Sequence, residues 1–379
     1  MDKLKEYFKD YYVLNDINGI LFWDNATNLP SDSISSRTEQ MSILSKLSDK
    51  IFRNPKVLDD LADTKNLKLS DLDQKNLKLM NDIIIRENAV DPILKTKLIE
   101  QKLKCEHLWR EARQNNDVSI IEDEFNNLLK LVHEEALQLS VITKLSPYDS
   151  LISKYDIDYN SNKIDTIFEI IQKEIIPNYL SADKINDTTV YHLTISENEI
   201  LNQTKKKLAE LNFNFAQGRI DQSHHPFCGG ANSDVRITTR FENNILETLS
   251  ALFHETGHGV YEQNRPKELL YEPIGQSRSL SVHESQSLFY ENHIFKTNEY
   301  FIKFAEIFDN KNELLKSFND HYHTIRYNPV RVSSDEFSYP IHVYIRYEIE
   351  KIIFSEKINF QDIKKLWNSM YQKYLNINL

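Results

Sequence analysis

The stretch LSALFHETGHGVYEQN, residues 249–264, contains the motif HETGH at 254–258. Residues four apart in a helix lie on the same face, so the imidazoles of His254 and His258 can reach one metal ion without distorting the backbone. A glutamate that follows the first histidine lies beside that metal, where Glu255 can act as a general base. The motif is typical of a zinc hydrolase and predicts a helix that carries half of a metal site.

A third metal ligand is expected further along the chain, because catalytic zinc usually takes three protein ligands and keeps a fourth position for water or substrate. The sequence GQSRSLSVHESQSLFYEN follows the motif and contains Glu284. A loop at 272–275 would let a second helix lie beside the first and present this carboxylate to the metal. Apolar residues after Glu284 give the second helix a buried side. We therefore predict Glu284 as the third ligand, with His283 as the alternative.

The composition excludes several classes of protein. The 379 residues are 40% hydrophobic and 27% charged, which is ordinary for a globular protein. The net charge of −11 lacks the basic footprint that a nucleic-acid binder needs. No run approaches the ~18 continuous apolar residues of a membrane span, and the N-terminus shows no apolar signal-peptide region. The two cysteines, Cys105 and Cys228, suit a reducing compartment, so we predict a cytoplasmic protein.

Helical periodicity dominates the chain and predicts a mainly α protein. The predicted helices cover 2–25, 35–54, 70–87, 92–115, 119–140, 163–177, 196–211, 246–264, 280–308, 310–325, 340–355 and 360–374. The segment 213–245 differs, because its glycines and the run DVRITTRF predict a small strand insertion just before the metal helix. A polar stretch around 146–162 is predicted to be a connection. The absence of an internal repeat favours one large helical unit over 1–379.

Five short blocks of sequence resemble the M32 metallocarboxypeptidases, the family of carboxypeptidase Taq, and follow the order of that family. The blocks are HPF at 225–227, DVRIT at 234–238, HETGH at 254–258, HESQ at 283–286 and RVSSD at 331–335. The last block departs from the family's RxxAD, because Ser334 stands where alanine is usual. Weaker similarity extends from FWDNATNLP near the start to the end of the chain. One block is a weak signal, whereas five in the correct order are a strong one.

The resemblance implies a nearly all-helical fold with a deep active-site groove, related in architecture to angiotensin-converting enzyme and neurolysin. It also implies the removal of single residues from the free C-termini of peptides by an enzyme that is often a homodimer. Carried over by position, His254, His258 and Glu284 bind zinc, and Glu255 is the general base for a metal-activated water. Cobalt is an alternative metal, because the same nitrogen and oxygen ligands accept both ions.

Three further residues are predicted to contact the substrate. By resemblance Arg331 binds the free C-terminal carboxylate, which suits the planar fork of a guanidinium. The alternative for Arg331 is a structural pair with Asp335 or another acid. His225 precedes a proline and either contacts substrate or serves as a local hydrogen-bonding residue. Tyr339 is a candidate for stabilising the tetrahedral intermediate, and a core or surface position is its alternative.

Other charged residues near these blocks have competing interpretations. Arg278 and Arg326 compete with Arg331 for the substrate carboxylate. Asp234 and Arg236 alternate with apolar residues on the predicted strand and therefore share one face. We interpret them as a structural pair rather than as substrate contacts.

The predicted function is a zinc carboxypeptidase, and two alternatives accompany it. The chain ends at YQKYLNINL, before a C-terminal segment that helps to complete the substrate site in the family. A shortened form that still binds zinc but has little or no turnover is therefore the first alternative. An endopeptidase or dipeptidase of the same zinc class is the second.

Overall fold

The computed structural model describes residues 1–64, 67–185, 196–241 and 244–379. The protein is mainly helical, as predicted. The helices, numbered in chain order, are α1 Asp2–Thr27, α2 Ile34–Phe52, α3 Pro55–Asp63, α4 Asp71–Ala89, α5 Pro92–Asn115, α6 Glu122–Thr143, α7 Pro147–Tyr155, α8 Ser161–Ile170, α9 Ile176–Ser181, α10 Glu197–Glu210, α11 Ile245–Gln263, α12 Leu280–Leu288, α13 Asn298–Ala305, α14 Lys311–Tyr322, α15 Tyr339–Glu356 and α16 Phe360–Leu375. A π-helical segment, Phe289–Phe295, continues α12. None of the described helices combines the length and the apolar character that crossing a membrane requires.

The chain divides into two compact units. The first unit consists of Met1–Ala89 and Val190–Ser317, and the second consists of Val90–Thr189 and Phe318–Leu379. The HETGH helix α11 and the HESQ helix α12 both belong to the first unit. The single catalytic unit expected over 1–379 stays a prediction.

The predicted strand insertion before the metal helix is a three-stranded sheet. Its strands are β1 Gly218–Gln222, β2 Cys228–Ala231 and β3 Asp234–Thr239, in the order β1-β3-β2. The central strand β3 pairs in parallel with β1 and antiparallel with β2. Val235 and Ile237 are buried on β3, which packs against α11. The sheet thus supports the helix that carries the HETGH motif.

Aromatic packing holds α11 against the π-helical segment in the first unit. The ring of Phe253, on α11, stacks on Phe295 with ring centroids 4.5 Å apart. Phe304, on α13, meets both rings edge-on. All three side chains are fully buried. Aromatic contacts of this kind dominate core energetics, so the helix that follows HESQ has a defined position on α11.

The second unit has its own core around α15 and α16. Ile341 and Ile345 on α15 pack with Tyr371 and Leu375 on α16, and Tyr179 from α9 joins the same cluster. A separate apolar cluster, built from α1 to α4, lies in the first unit. Each unit therefore buries its own hydrophobic side chains.

Several helices differ from the prediction. The predicted connection at 146–162 contains α7, because the Ser146 side chain accepts a hydrogen bond from the third residue of the helix and a proline opens its first turn. Helix α3 was not predicted, and Asn54 caps it in the same way. The single helix predicted at 280–308 is divided into α12, the π-helical segment and α13. The Thr297 side chain caps the start of α13.

Candidate metal centre

The site is built on α11, and a glycine on this helix determines how closely α12 approaches. The N-terminus of α11 is capped by the Asn244 side chain, which accepts a hydrogen bond from the backbone N–H of Leu246 at 3.1 Å. A Cβ atom on Gly257 would lie 2.6 Å from backbone atoms of Gln286 and Ser287 on α12. Only glycine therefore allows the two helices to approach to this distance.

Two imidazoles and one carboxylate converge between these helices. The Nε2 atom of His254 lies 3.8 Å from Oε1 of Glu284, and Nε2 of His258 lies 3.3 Å from Oε2 of the same carboxylate. Ligand atoms from the three residues all lie within 4.8 Å of one another. The side chains are 20%, 15% and 41% exposed, respectively, so the cluster remains accessible. Two nitrogens and one oxygen from three side chains form a donor set that zinc accepts.

The two histidines favour the ionised form of the candidate ligand Glu284. Burial opposes ionisation of this carboxyl, but the hydrogen bond from His258 and the charges of His254 and His258 outweigh burial and lower its pKa. The carboxylate is thus anionic near neutral pH, which a metal ligand requires.

Glu255 lies next to this cluster and is 7% exposed. Burial raises the pKa of its carboxyl to about 7, against the opposing charges of His254 and His258. Among the residues that the structure describes, none donates a hydrogen bond to the Glu255 carboxylate. A buried carboxylate without donors has a proton affinity matched to neutral pH, which suits a general base.

Glu291, on the π-helical segment, is a contact of the cluster that the sequence analysis did not identify. Its Oε2 atom lies 2.8 Å from Nδ1 of His254. Its Oε1 atom accepts hydrogen bonds from Ser250 at 2.8 Å and from Lys296 at 2.7 Å. Burial raises the pKa of this carboxyl, but the charge of Lys296 and the hydrogen bond with His254 prevail and lower it to about 2. The available signal was its position seven residues, or two turns, after Glu284.

His283, the alternative third ligand, lies beside the cluster but outside it. Its ring centroid is 4.5 Å from that of His258, and its Nε2 atom is 3.4 Å from a Glu262 carboxylate oxygen. Burial lowers the pKa of His283 to about 4. The group of ligand atoms that the described residues bring together contains Glu284 and not His283.

The profile of the Carboxypeptidase Taq (M32) metallopeptidase family matches residues 3–379. The chain belongs to this family. Among curated M32 relatives, carboxypeptidase 1 of Bacillus subtilis (strain 168) is 28% identical, over 99% of this chain and 78% of that protein. Thermostable carboxypeptidase 1 of Pyrococcus furiosus is 24% identical, over 98% of this chain and 76% of that protein. The family makes this chain a metallocarboxypeptidase and implies a divalent metal.

Solved structures have the same fold as this M32 chain. Trypanosoma cruzi metallocarboxypeptidase 1 superposes with a TM-score of 0.86 at 25% identity, covering 100% of this chain and 78% of that one. A carboxypeptidase of Pyrococcus furiosus superposes with a TM-score of 0.89 at 24% identity and the same coverage. The predicted fold class, a mainly helical protein with a small β insertion, is thereby confirmed.

Two of the M32 sequence blocks lie on or beside the sheet of the first unit. His225 is exposed in the loop between β1 and β2, where its carbonyl accepts a hydrogen bond from Ser223 at 2.7 Å. Asp234 and Arg236 form the structural pair expected from their shared face, with nitrogen–oxygen distances of 3.0 and 2.5 Å. The guanidinium of Arg236 also lies over the ring of Trp23, 4.3 Å from its centroid.

The RVSSD block lies in the second unit, just before α15. The Nη1 atom of Arg331 donates a hydrogen bond to the hydroxyl of Tyr339 at 2.6 Å. The alternative pair with Asp335 does not form, because that carboxylate accepts hydrogen bonds from backbone N–H groups, including that of Ser338 at 2.9 Å. Arg326, a competing substrate anchor, is 7% exposed and hydrogen-bonded to a histidine side chain.

Proposed function

We propose that this M32 chain is a zinc carboxypeptidase that removes the C-terminal residue of peptides. The observation that carries the proposal is the convergence of His254, His258 and Glu284 beside a buried Glu255. This donor set suits zinc, and cobalt is the alternative ion. A divalent metal bound there would lower the pKa of a water molecule and polarise the scissile carbonyl.

Glu255 is proposed as the general base. Its carboxylate lies at the edge of the candidate metal centre, where it is buried and receives no hydrogen bond from the described residues, so its oxygens are available to take up a proton. It can therefore accept a proton from water and return that proton to the leaving amine. Its burial excludes competing solvent, which strengthens its interaction with a bound peptide.

Arg331 is proposed to bind the C-terminal carboxylate of the substrate, by resemblance to the family's RxxAD block. Within the described ranges this arginine pairs with no acid, and its hydrogen bond to Tyr339 engages a single guanidinium N–H group. The remaining donors can form a two-point contact with a carboxylate. Tyr339 holds the guanidinium and is proposed to stabilise the tetrahedral intermediate, and His225 is proposed as a further substrate contact.

The proposal is tested by metal analysis together with a peptide digest. We expect one zinc ion per chain and the stepwise release of single C-terminal residues from unblocked peptides, followed by mass spectrometry. Peptides with an amidated C-terminus should be cut much more slowly, because they lack the carboxylate that Arg331 would bind. Internal fragments would indicate an endopeptidase, and dipeptide products a dipeptidase. Bound zinc without turnover would support the weakly active form instead.

The first variant to test is Glu255→Gln. Loss of the base should lower kcat by roughly 10²- to 10⁴-fold, since general-base catalysis contributes about that much. Zinc content should stay at the wild-type level, because the three ligands are unchanged. Glu247→Gln, which alters another carboxylate in the first turn of the same helix, is the matched control and should keep full activity. Equal losses in both variants would contradict a specific role for Glu255.

The quaternary state and location are also proposed from the family resemblance. We infer a homodimer in the cytoplasm whose partners are peptides with free C-termini, rather than nucleic acids or membranes. The two-cysteine composition and the net charge of −11 support this inference. Sedimentation equilibrium of the purified chain measures the oligomeric state directly, and a monomer at micromolar concentration would overturn that part.

A further inference from the structure

One imidazole of the candidate metal centre is contacted on both of its nitrogens by the same neighbouring helical stretch. Glu284 on α12 lies on the Nε2 side of His254, at 3.8 Å. Glu291 on the π-helical segment lies on the Nδ1 side, at 2.8 Å. Two turns of helix separate the two carboxylates, about 10 Å along the axis. The distances assign them different roles: Glu284 belongs to the ligand cluster, and Glu291 lies behind the ring.

Glu291 is itself held in place by two donors. The Ser250 hydroxyl, one turn before His254 on α11, donates to its Oε1 atom at 2.8 Å. The ammonium of Lys296 donates to the same atom at 2.7 Å. The side chains of Glu291 and Lys296 are only 18% and 14% exposed, so the carboxylate has little freedom to turn away. Its other oxygen, Oε2, is thereby directed at His254.

The orientation of the π-helical segment supports the same geometry. Phe295, at its end, stacks on Phe253, the residue that precedes His254. The wider π turn changes the angular position of the side chains that follow Leu288, and such segments are often found at functional sites. By contrast, Nδ1 of His258 is buried without a hydrogen-bond partner in the described part of the chain. Among the described residues, a carboxylate therefore lies behind the ring of His254 and none is hydrogen-bonded behind that of His258.

We propose that Glu291 is a positioning residue that holds His254 with its proton on Nδ1 and its Nε2 lone pair directed toward the metal. An ionised carboxylate only accepts hydrogen bonds, so the nitrogen that faces it must carry the proton. The other nitrogen is then available as a metal ligand, and the hydrogen bond raises its basicity. The inference rests on the proposed function only in that a metal binds at His254.

The test is zinc affinity, measured on the purified protein by competition with a chromophoric chelator. Glu291→Ala should weaken zinc binding by about 10- to 100-fold, which is the usual effect of removing such a carboxylate. Asn292→Ala is the matched control. Its side-chain oxygen accepts a hydrogen bond from Lys296 at 3.0 Å, so the substitution perturbs the same cluster but leaves the contacts of Glu291 with Ser250, Lys296 and His254, and it should change zinc affinity by less than about threefold. Melting temperatures of the metal-free variants report folding separately.

Two outcomes overturn the proposal. The first is wild-type zinc affinity in a folded Glu291→Ala variant, and the second is an equal loss in Glu291→Ala and Asn292→Ala, which would indicate a purely structural cluster. If Glu291→Ala does not fold, the isosteric Glu291→Gln replaces it and should weaken binding by a smaller factor, since a neutral acceptor forms a weaker bond.

A measurement on the unaltered, metal-free protein needs no variant of Glu291. Long-range proton–nitrogen correlations of the histidine rings report which nitrogen carries the proton, and His254→Gln identifies the signal. At a pH high enough to neutralise the ring, we expect the Nδ1–H form for His254, and an Nε2–H form would contradict the proposal. A chain that binds zinc tightly but releases no amino acids would refute the proposed function and leave the role of Glu291 intact.

Discussion

Two carboxylates around the same histidine show how local surroundings assign different roles to one residue type. Burial raises the pKa of both Glu255 and Glu291, because a charge is costly away from water. Glu255 has no hydrogen-bond donor among the described residues, and its pKa stays at about 7. Glu291 receives hydrogen bonds from Ser250, Lys296 and His254, and its pKa is about 2. The first can exchange a proton near neutral pH, whereas the second is a permanent anion.

A pH dependence of stability is expected from His342 in the second unit. This residue is 2% exposed, and its Nδ1 atom lies 2.9 Å from the hydroxyl of Tyr371. Burial lowers its pKa from 6.5 to about 4. Between these values the unfolded chain binds a proton that the folded chain does not bind, so stability falls as the pH drops below 6.5. Between pH 6.5 and pH 5 the loss from this group should be about 2 kcal/mol.

The measurement is urea denaturation of the wild type and of His342→Asn at several pH values. The variant should be less stable at pH 7, because it leaves a small cavity, but its stability should decline less toward pH 5. The comparison between the two proteins cancels the contribution of other titrating groups. Parallel pH profiles would show that His342 does not titrate in this range.

At the scale of elements, the contact between α11 and α12 depends on Gly257. The methyl group of Gly257→Ala would lie 2.6 Å from the backbone of α12, which cannot move aside as a flexible side chain does. We expect the helices to separate, destabilising the fold by about 1–3 kcal/mol. The shift should also withdraw Glu284 and weaken zinc binding by at least tenfold. Chelator competition and thermal unfolding measure the two effects.

Gly229→Ala, on β2, is the matched control for this substitution. Its added methyl would approach only the ring of Phe227, at 3.2 Å, and a ring can give way. Zinc affinity should stay within about twofold of the wild-type value, since nothing in the ligand cluster moves. If Gly257→Ala also binds zinc normally, close approach of the helices is not what positions Glu284.

At the scale of the whole molecule, metal binding should stabilise the protein, because the proposed ligands come from two separate helices and are assembled only in the folded chain. A ligand that binds only the folded state raises the free energy of unfolding by about 4 kcal/mol when its concentration is a thousand times its Kd. Removing zinc with a chelator should therefore lower Tm by several degrees, and adding it back should restore the value. Calorimetry of the wild type and of Glu284→Ala checks this expectation. A variant that is stabilised by zinc as strongly as the wild type would exclude Glu284 as a ligand.

Much of this architecture is determined by local sequence. The helical periodicity, the strand run before 246 and the i,i+4 spacing of His254 and His258 depend on residues within one or two turns of each other, so they can be recognised without a structure. The order of the five blocks then indicates the family over nearly the whole chain. Helix α7 was missed because its polar composition resembles a loop, although Ser146 and the proline after it are start signals.

The tertiary structure decided which groups meet across elements. The bond of Glu291 to His254 and the burial that raises the pKa of Glu255 both arise from packing between helices. No local pattern encodes these contacts, because each depends on where a second segment lies. The HETGH sequence by itself predicts a pair of metal ligands and a base. Only the packing of α12 and its π-helical continuation against α11 supplies the third carboxylate and the hydrogen bond behind the first histidine.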